Sequence, residues 1–190
     1  MAQNHFTAEN AEIAEIFLDF LRVLIPPELG RCALRSRSLE MINTIRTNSE
    51  NQDFINLVKY LDADLAGRDG AEHTFYAQFN KINIIKYVVV AYENDQPVGC
   101  GAIKEYSASS MEIKRMYTAP EHRGKGIASK VLAELERWAA ELSYEKCILE
   151  TGKKQPEAIA LYNKRGYKLI SNYGQYVGIE NSVCFEKSLK

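Results

Sequence analysis

Residues 121–142, EHRGKGIASKVLAELERWAAEL, join a basic, glycine-rich segment directly to the most regular helical pattern in the chain. Ile127, Val131, Leu135, Trp138 and Leu142 fall on one stripe, while Lys130, Glu134, Arg137 and Glu141 supply a charged outer face. Such a helix has to lie with its stripe against another surface. Burying those five side chains contributes roughly 1.5–3 kcal/mol each before entropy is subtracted. The segment in front of the helix is equally informative. Glycine suits a backbone that turns sharply or lets another group come close. The first turn of a helix has N–H groups without intrahelical partners and carries a partial positive charge. Arg123, Gly124, Lys125 and Gly126 at that point describe an anion cradle, most naturally for phosphate. The pattern GxxxxGK[ST] is absent, which argues against a P-loop nucleotide site.

The neighbouring segments set the fold class. MINTIRT, from residue 41, reads as a short strand. SENQDFINLVKYLDADLAGRDG reads as a helix capped at Ser49 and closing at Gly67 or Gly70, and EHTFYAQFNKI as a second, shorter helix. KYVVVAYENDQPVGCGAIKEYS is two β-rich runs around the turn signal ENDQP, hence a hairpin. SMEIKRMYT is a further strand, with Met111, Ile113, Arg115 and Tyr117 alternating against Glu112, Lys114, Met116 and Thr118. After the long helix come a buried strand (EKCILETG), a helix with Pro156 in its first turn (QPEAIALYNKRGY), and two closing strands (YKLISNY and NSVCFEKSL). The order β-α-α-β-β-β-α-β-α-β-β implies a mixed sheet with helices on both faces.

Residues 1–40 form a separate case. Ile13, Ile16, Phe17, Phe20, Leu21 and Leu24 make one helical stripe, Pro26 and Pro27 end it, and an Arg-rich connector follows. This N-terminal helical extension has to bury its stripe against the domain at 41–190 or against a second copy of the chain, as a homodimer. Lys plus Arg is 24 and Asp plus Glu is 25, for a net charge of -1, so there is no basic excess to support nucleic-acid binding. The 4 cysteines are widely spaced, with no CxxC or Cys/His cluster that would hold a metal. No basic leader precedes an apolar run, and no segment approaches the roughly 18 apolar residues of a membrane span. The expectation is a soluble, cytoplasmic protein with reduced thiols and no membrane partner.

The hairpin, strand, glycine loop, long helix, strand and ALYNKRGY segment together resemble the GNAT family of acyl-CoA N-acyltransferases over roughly residues 41–188. The family's Arg/Gln-x-x-Gly-x-Gly/Ala loop is matched by Arg123–Ala128, and its A-x-x-L-Y-x-x-x-G-F/Y segment by AIALYNKRGY. The resemblance implies the acyl-CoA N-acyltransferase fold, an α/β architecture with a mixed, mostly antiparallel central sheet. It also implies acetyl-CoA as co-substrate and an amine as acceptor. Backbone N–H groups of residues 124–129 (Gly124, Lys125, Gly126, Ile127, Ala128 and Ser129) would hold the CoA pyrophosphate, aided by the charges of Arg123 and Lys125. The strand end at Met116, Tyr117 and Thr118 would splay from its neighbour and pair with the pantetheine amides. Gln155 stands where family members often carry Asn, and would reach the cofactor through its longer side chain.

For the chemistry, the resemblance puts Tyr162 near the thioester sulfur as general acid to the departing thiolate. Two glutamates qualify as the base: Glu112, on the strand before the loop, and Glu150, at the end of the next strand. The function implied is an N-acetyltransferase working by direct attack in a ternary complex, with no cysteine in an evident nucleophile motif. The alternative is a non-catalytic acyl-CoA sensor. The acceptor would be read by Asp62, Asp64, Arg68, Asp69, Glu72, His73, Tyr76, Tyr173, Tyr176 and Glu180. The acidic bias of LDADLAGRDGAE would suit a cationic amine.

Overall fold

The computed structural model describes residues 42–70, 76, 78, 82 and 84–190. The N-terminal extension and most of the short helix expected at 72–82 lie outside the described residues, as do Glu72, His73 and the side chain of Asp69.

The chain enters at β1 (Ile42–Thr47) and passes into α1 (Gln52–Asp69). The helix cap is Asn51 rather than Ser49, its side-chain oxygen accepting the Phe54 N–H at 2.9 Å. Phe54, Leu57, Val58 and Leu61 give α1 its buried stripe. β2 (Tyr87–Glu93) and β3 (Gln96–Ser107) form the expected hairpin. Asn94 and Asp95 carry it round at φ 50° and 64°, the left-handed conformation that two-residue hairpin loops require. β4 (Ser110–Thr118), α2 (Ile127–Glu141), β5 (Lys146–Gly152), α3 (Pro156–Lys164), β6 (Lys168–Ile170) and β7 (Ser182–Ser188) complete the chain.

The seven strands make one mixed sheet in the order β1-β2-β3-β4-β5-β7-β6. β4 and β5 run parallel, and the other neighbours pair antiparallel. Each face buries its own core. On one, Val89, Ile103, Met111, Ile113, Leu149 and Phe185 meet Val131, Leu132 and Leu135 of α2 and Tyr162 of α3. On the other, Val88, Val90, Cys100 and Ala102 meet Phe54, Leu57 and Val58 of α1. α2 approaches β3 so closely that a Cβ on Gly101 would lie 2.8 Å from Val131 Cγ1 and 2.9 Å from Leu135 Cδ1.

β4 departs from the simple alternation. Ala102 pairs with Lys114 but Cys100 pairs with Tyr117, so Arg115 and Met116 together oppose Gly101. Arg115 sits at φ 57°, as a bulged residue can. The extra residue changes the phase: Met116 joins Met111 and Ile113 against the α2 core, and Tyr117 packs with the α1 core. On its other edge, β4 pairs with β5 from Ser110–Lys146 to Ile113–Leu149, where the pairing stops. Beyond that point the two parallel strands diverge.

Candidate active site

A cavity of about 440 Å³ opens where β4 and β5 part. Its walls are the β4 end (Met116, Tyr117, Thr118), the following loop and the first turn of α2 (Arg123, Gly124, Gly126, Ile127, Ala128, Ser129). Glu150 and Thr151 of β5, Gln155 before α3, and Tyr162 in α3 close it from the opposite side.

The loop's backbone explains its glycines. Gly124 and Gly126 both hold φ 81°, and a Cβ built on either meets no protein atom within 4 Å. Left-handed backbone, not crowding, selects glycine there. Gly126 is the N-cap of α2, no side chain caps that end, and its first turn carries no acidic residue. An uncapped helix N-terminus facing a cavity fits an anion: its orphan N–H groups and the helix dipole act in the same direction. Arg123 lies at the rim, with Nε donating to the Thr118 carbonyl at 3.1 Å and Nη2 3.9 Å from Asp64.

Lys125 is directed elsewhere. Its ammonium lies 2.9 and 3.0 Å from the two carboxylate oxygens of Glu93, and it is not among the cavity-lining residues. His122 Nδ1 lies 2.6 Å from Glu93 Oε2. The hydrogen bond from Lys125, with that from His122, holds the Glu93 carboxyl below the usual carboxylate range. The loop is thereby fastened to the end of β2.

The two candidate glutamates have different surroundings. Glu112 is buried outside the cavity, accepting from the Tyr173 hydroxyl at 3.0 Å and lying 3.4 Å from Lys114 Nζ. Burial, and then the charge of Glu112, raise the Tyr173 phenol above its ordinary range. Glu150 lines the cavity. Ser182 Oγ donates to its Oε1 at 2.7 Å, and the Tyr76 hydroxyl lies 3.3 Å from that same Oγ. Tyr162 is 5% exposed, and burial first, then the Glu150 charge, hold its phenol well above the ordinary tyrosine value. Such a phenol keeps its proton and acts as a donor. Cys100 and Cys147 are buried with thiols pushed up to about 12, and Cys184 to about 11, so none of the three supplies a thiolate at neutral pH. Cys32 lies outside the described residues. No cluster of metal-ligating side chains occurs among the described residues, and none of their helices is long and apolar enough to cross a membrane.

Three features escaped the sequence reading. Ser182 reaches Glu150 from a distant segment, with no local motif to announce it. The Glu93–His122 contact joins residues 29 positions apart, although His122 borders the glycine loop. Arg115 was read as an ordinary member of an alternating strand, whereas the bulge takes it into the cavity wall.

Comparison with known proteins agrees with this geometry. Residues 54–167 match the model of the acetyltransferase (GNAT) family. An IAA acetyltransferase from Azospirillum brasilense is 33% identical over 150 residues, covering 77% of this chain and 97% of its own length. A Klebsiella pneumoniae structure assigned as an acyl-CoA N-acyltransferase is 30% identical with a TM-score of 0.67, covering 80% of this chain and 99% of that one. PaiA N-acetyltransferase from Thermoplasma acidophilum, solved in complex with coenzyme A, shares the fold at 18% identity and a TM-score of 0.59, over 78% of this chain and 99% of its own. Family model, near full-length relative and uncapped glycine loop agree: this chain belongs to the GNAT family of N-acetyltransferases.

Proposed function

We propose that this chain transfers the acetyl group of acetyl-CoA to a primary amine of a small molecule or peptide, by direct attack while both substrates are bound. The observation that carries the reading is the opening of two features onto one cavity: the uncapped N-terminus of α2, and Glu150 together with a buried, proton-retaining Tyr162. Backbone N–H groups from Gly124 to Ser129 hold the diphosphate, with Arg123 adding charge at the rim. The unpaired edge of Met116, Tyr117 and Thr118 toward β5 offers its backbone groups to the pantetheine amides. Gln155 lines the same passage.

Acetyl-CoA supplies the activated acyl group, and the residues manage two protons. Glu150, directly or through a water, takes the proton that the attacking amine nitrogen loses as it bonds to the thioester carbonyl carbon. Tyr162 donates to the sulfur as the carbon–sulfur bond breaks, so the thiol departs neutral. Glu150 is preferred to Glu112 because its carboxylate borders the cavity, whereas Glu112 is committed to Tyr173 and Lys114.

Calorimetry with acetyl-CoA, followed by CoA release across a panel of amines, tests the reading. Wild type is expected to bind and to turn over at least one amine. Gly126→Val is expected to lose binding, because a β-branched residue is strained at φ 81° and projects into the space left for the anion. No heat with acetyl-CoA on folded protein removes the proposal. Binding without turnover of any amine supports a sensor instead.

A further inference from the structure

Arg115 is unusual among the charged residues described. Its side chain is only 3% exposed, it stands on the bulge of β4 at φ 57°, and it lines the same cavity as Glu150 and Tyr162. Nη2 donates to Asp62 Oδ1 at 2.7 Å, while buried Nε and Nη1 have no hydrogen-bond partner. An arginine cannot escape this situation by losing its proton. Buried donors left unmet in a native protein call for a specific explanation, and a ligand group is one. Asp62 does not meet the need alone, since it reaches only Nη2 and its side chain is 45% exposed.

The acids of α1 point the same way. Asp62 is engaged by Arg115, and Asp64 lies 3.2 Å from Arg68 and 3.9 Å from Arg123. The two acids of that run whose side chains are described, Asp62 and Asp64, are thus already matched by arginines of the same fold. Lys114 lines the cavity wall beside Arg115, its ammonium 3.0 Å from the Tyr176 hydroxyl and 3.4 Å from the Glu112 carboxylate.

We propose that Arg115 determines acceptor specificity by binding a carboxylate, so that the acceptor is an amine that also carries a carboxylate, an amino acid being the simplest case. This rests on the acetyl-transfer reading above and narrows its substrate class. Guanidinium and carboxylate match in charge and in planar geometry. The bulge is what turns a strand residue toward the α1 side of the cavity, so backbone strain and specificity have one cause.

The test uses full-length protein, acetyl-CoA and the L-amino acids, each paired with its own carboxamide. Rates are compared per unprotonated amine, because losing the carboxylate also lowers the amine's pKa. Wild type is expected to favour acid over amide by about 10- to 100-fold in kcat/KM, mainly through KM. Arg115→Gln is expected to bring that ratio near one while acetyl-CoA binding heat stays unchanged. A purely structural arginine would slow acid and amide alike, and that result overturns the proposal. So does a wild type that turns over carboxamides or polyamines as well as or better than amino acids, and this comparison needs no variant. Turnover of such amines leaves acetyl transfer standing, whereas absence of acetyl-CoA binding removes both readings.

Discussion

Tyr162 has a chemistry tightly constrained by its surroundings. Burial and the neighbouring Glu150 charge favour the protonated phenol, the form required of a donor to sulfur. Tyr162→Phe keeps the ring contacts with Tyr167 and Phe185 and removes only the hydroxyl. It is expected to lower kcat by about 10²- to 10⁴-fold with acetyl-CoA affinity nearly intact, measured by steady-state kinetics beside calorimetry. Because the phenol's value is raised, wild-type kcat is expected to hold its plateau to about pH 10, with no fall from tyrosine ionisation. Tyr162 was legible in the sequence because it sits inside a contiguous segment, ALYNKRGY. The choice between Glu112 and Glu150 was not. Both are strand glutamates, and only the termination of pairing at Ile113–Leu149 separates a cavity wall from a closed part of the sheet.

At the level of elements, the close seat of α2 on β3 depends on Gly101. A methyl group there meets Val131, Leu135 and Met116, and both sides are packed core. Gly101→Ala is expected to destabilise the fold by about 1–3 kcal/mol in chemical denaturation, the usual range for overpacking. Nothing in GCGAIK distinguishes that glycine from a loosely tolerated one, since the atoms it yields to lie on a helix 30 residues downstream. The helices themselves were readable from their apolar period. The α1 cap was displaced by two residues, from Ser49 to Asn51, because both are good caps and the choice depends on where β1 ends. β4 was harder. A period of two predicts the same face for Ile113 and Tyr117, and a single bulged residue reverses that assignment without leaving any compositional trace.

Across the whole molecule, the seven-stranded mixed sheet followed from the element order and the family resemblance together, while the contacts fastening distant parts did not. Glu93 is the clearest of these, joining the end of β2 to His122 and Lys125 of the glycine loop. Its carboxyl is held low in the folded state, so the stabilisation it brings is present above the unfolded carboxylate value near 4.3. It is lost as pH falls through the lower folded value. Glu93→Gln is expected to lower Tm at pH 7, with the gap to wild type closing as pH drops below about 4, followed by thermal melts at several pH values.

The four-residue match between β4 and β5 also bears on how the sheet behaves mechanically. Ser110–Ile113 and Lys146–Leu149 are the rungs that join a four-stranded half to a three-stranded half, and past them the seam is open. On the function proposed above, a substrate whose amides bridge that seam would complete the ladder as an eighth, removable strand. Occupancy would then stiffen the sheet, and product release would restore its compliance.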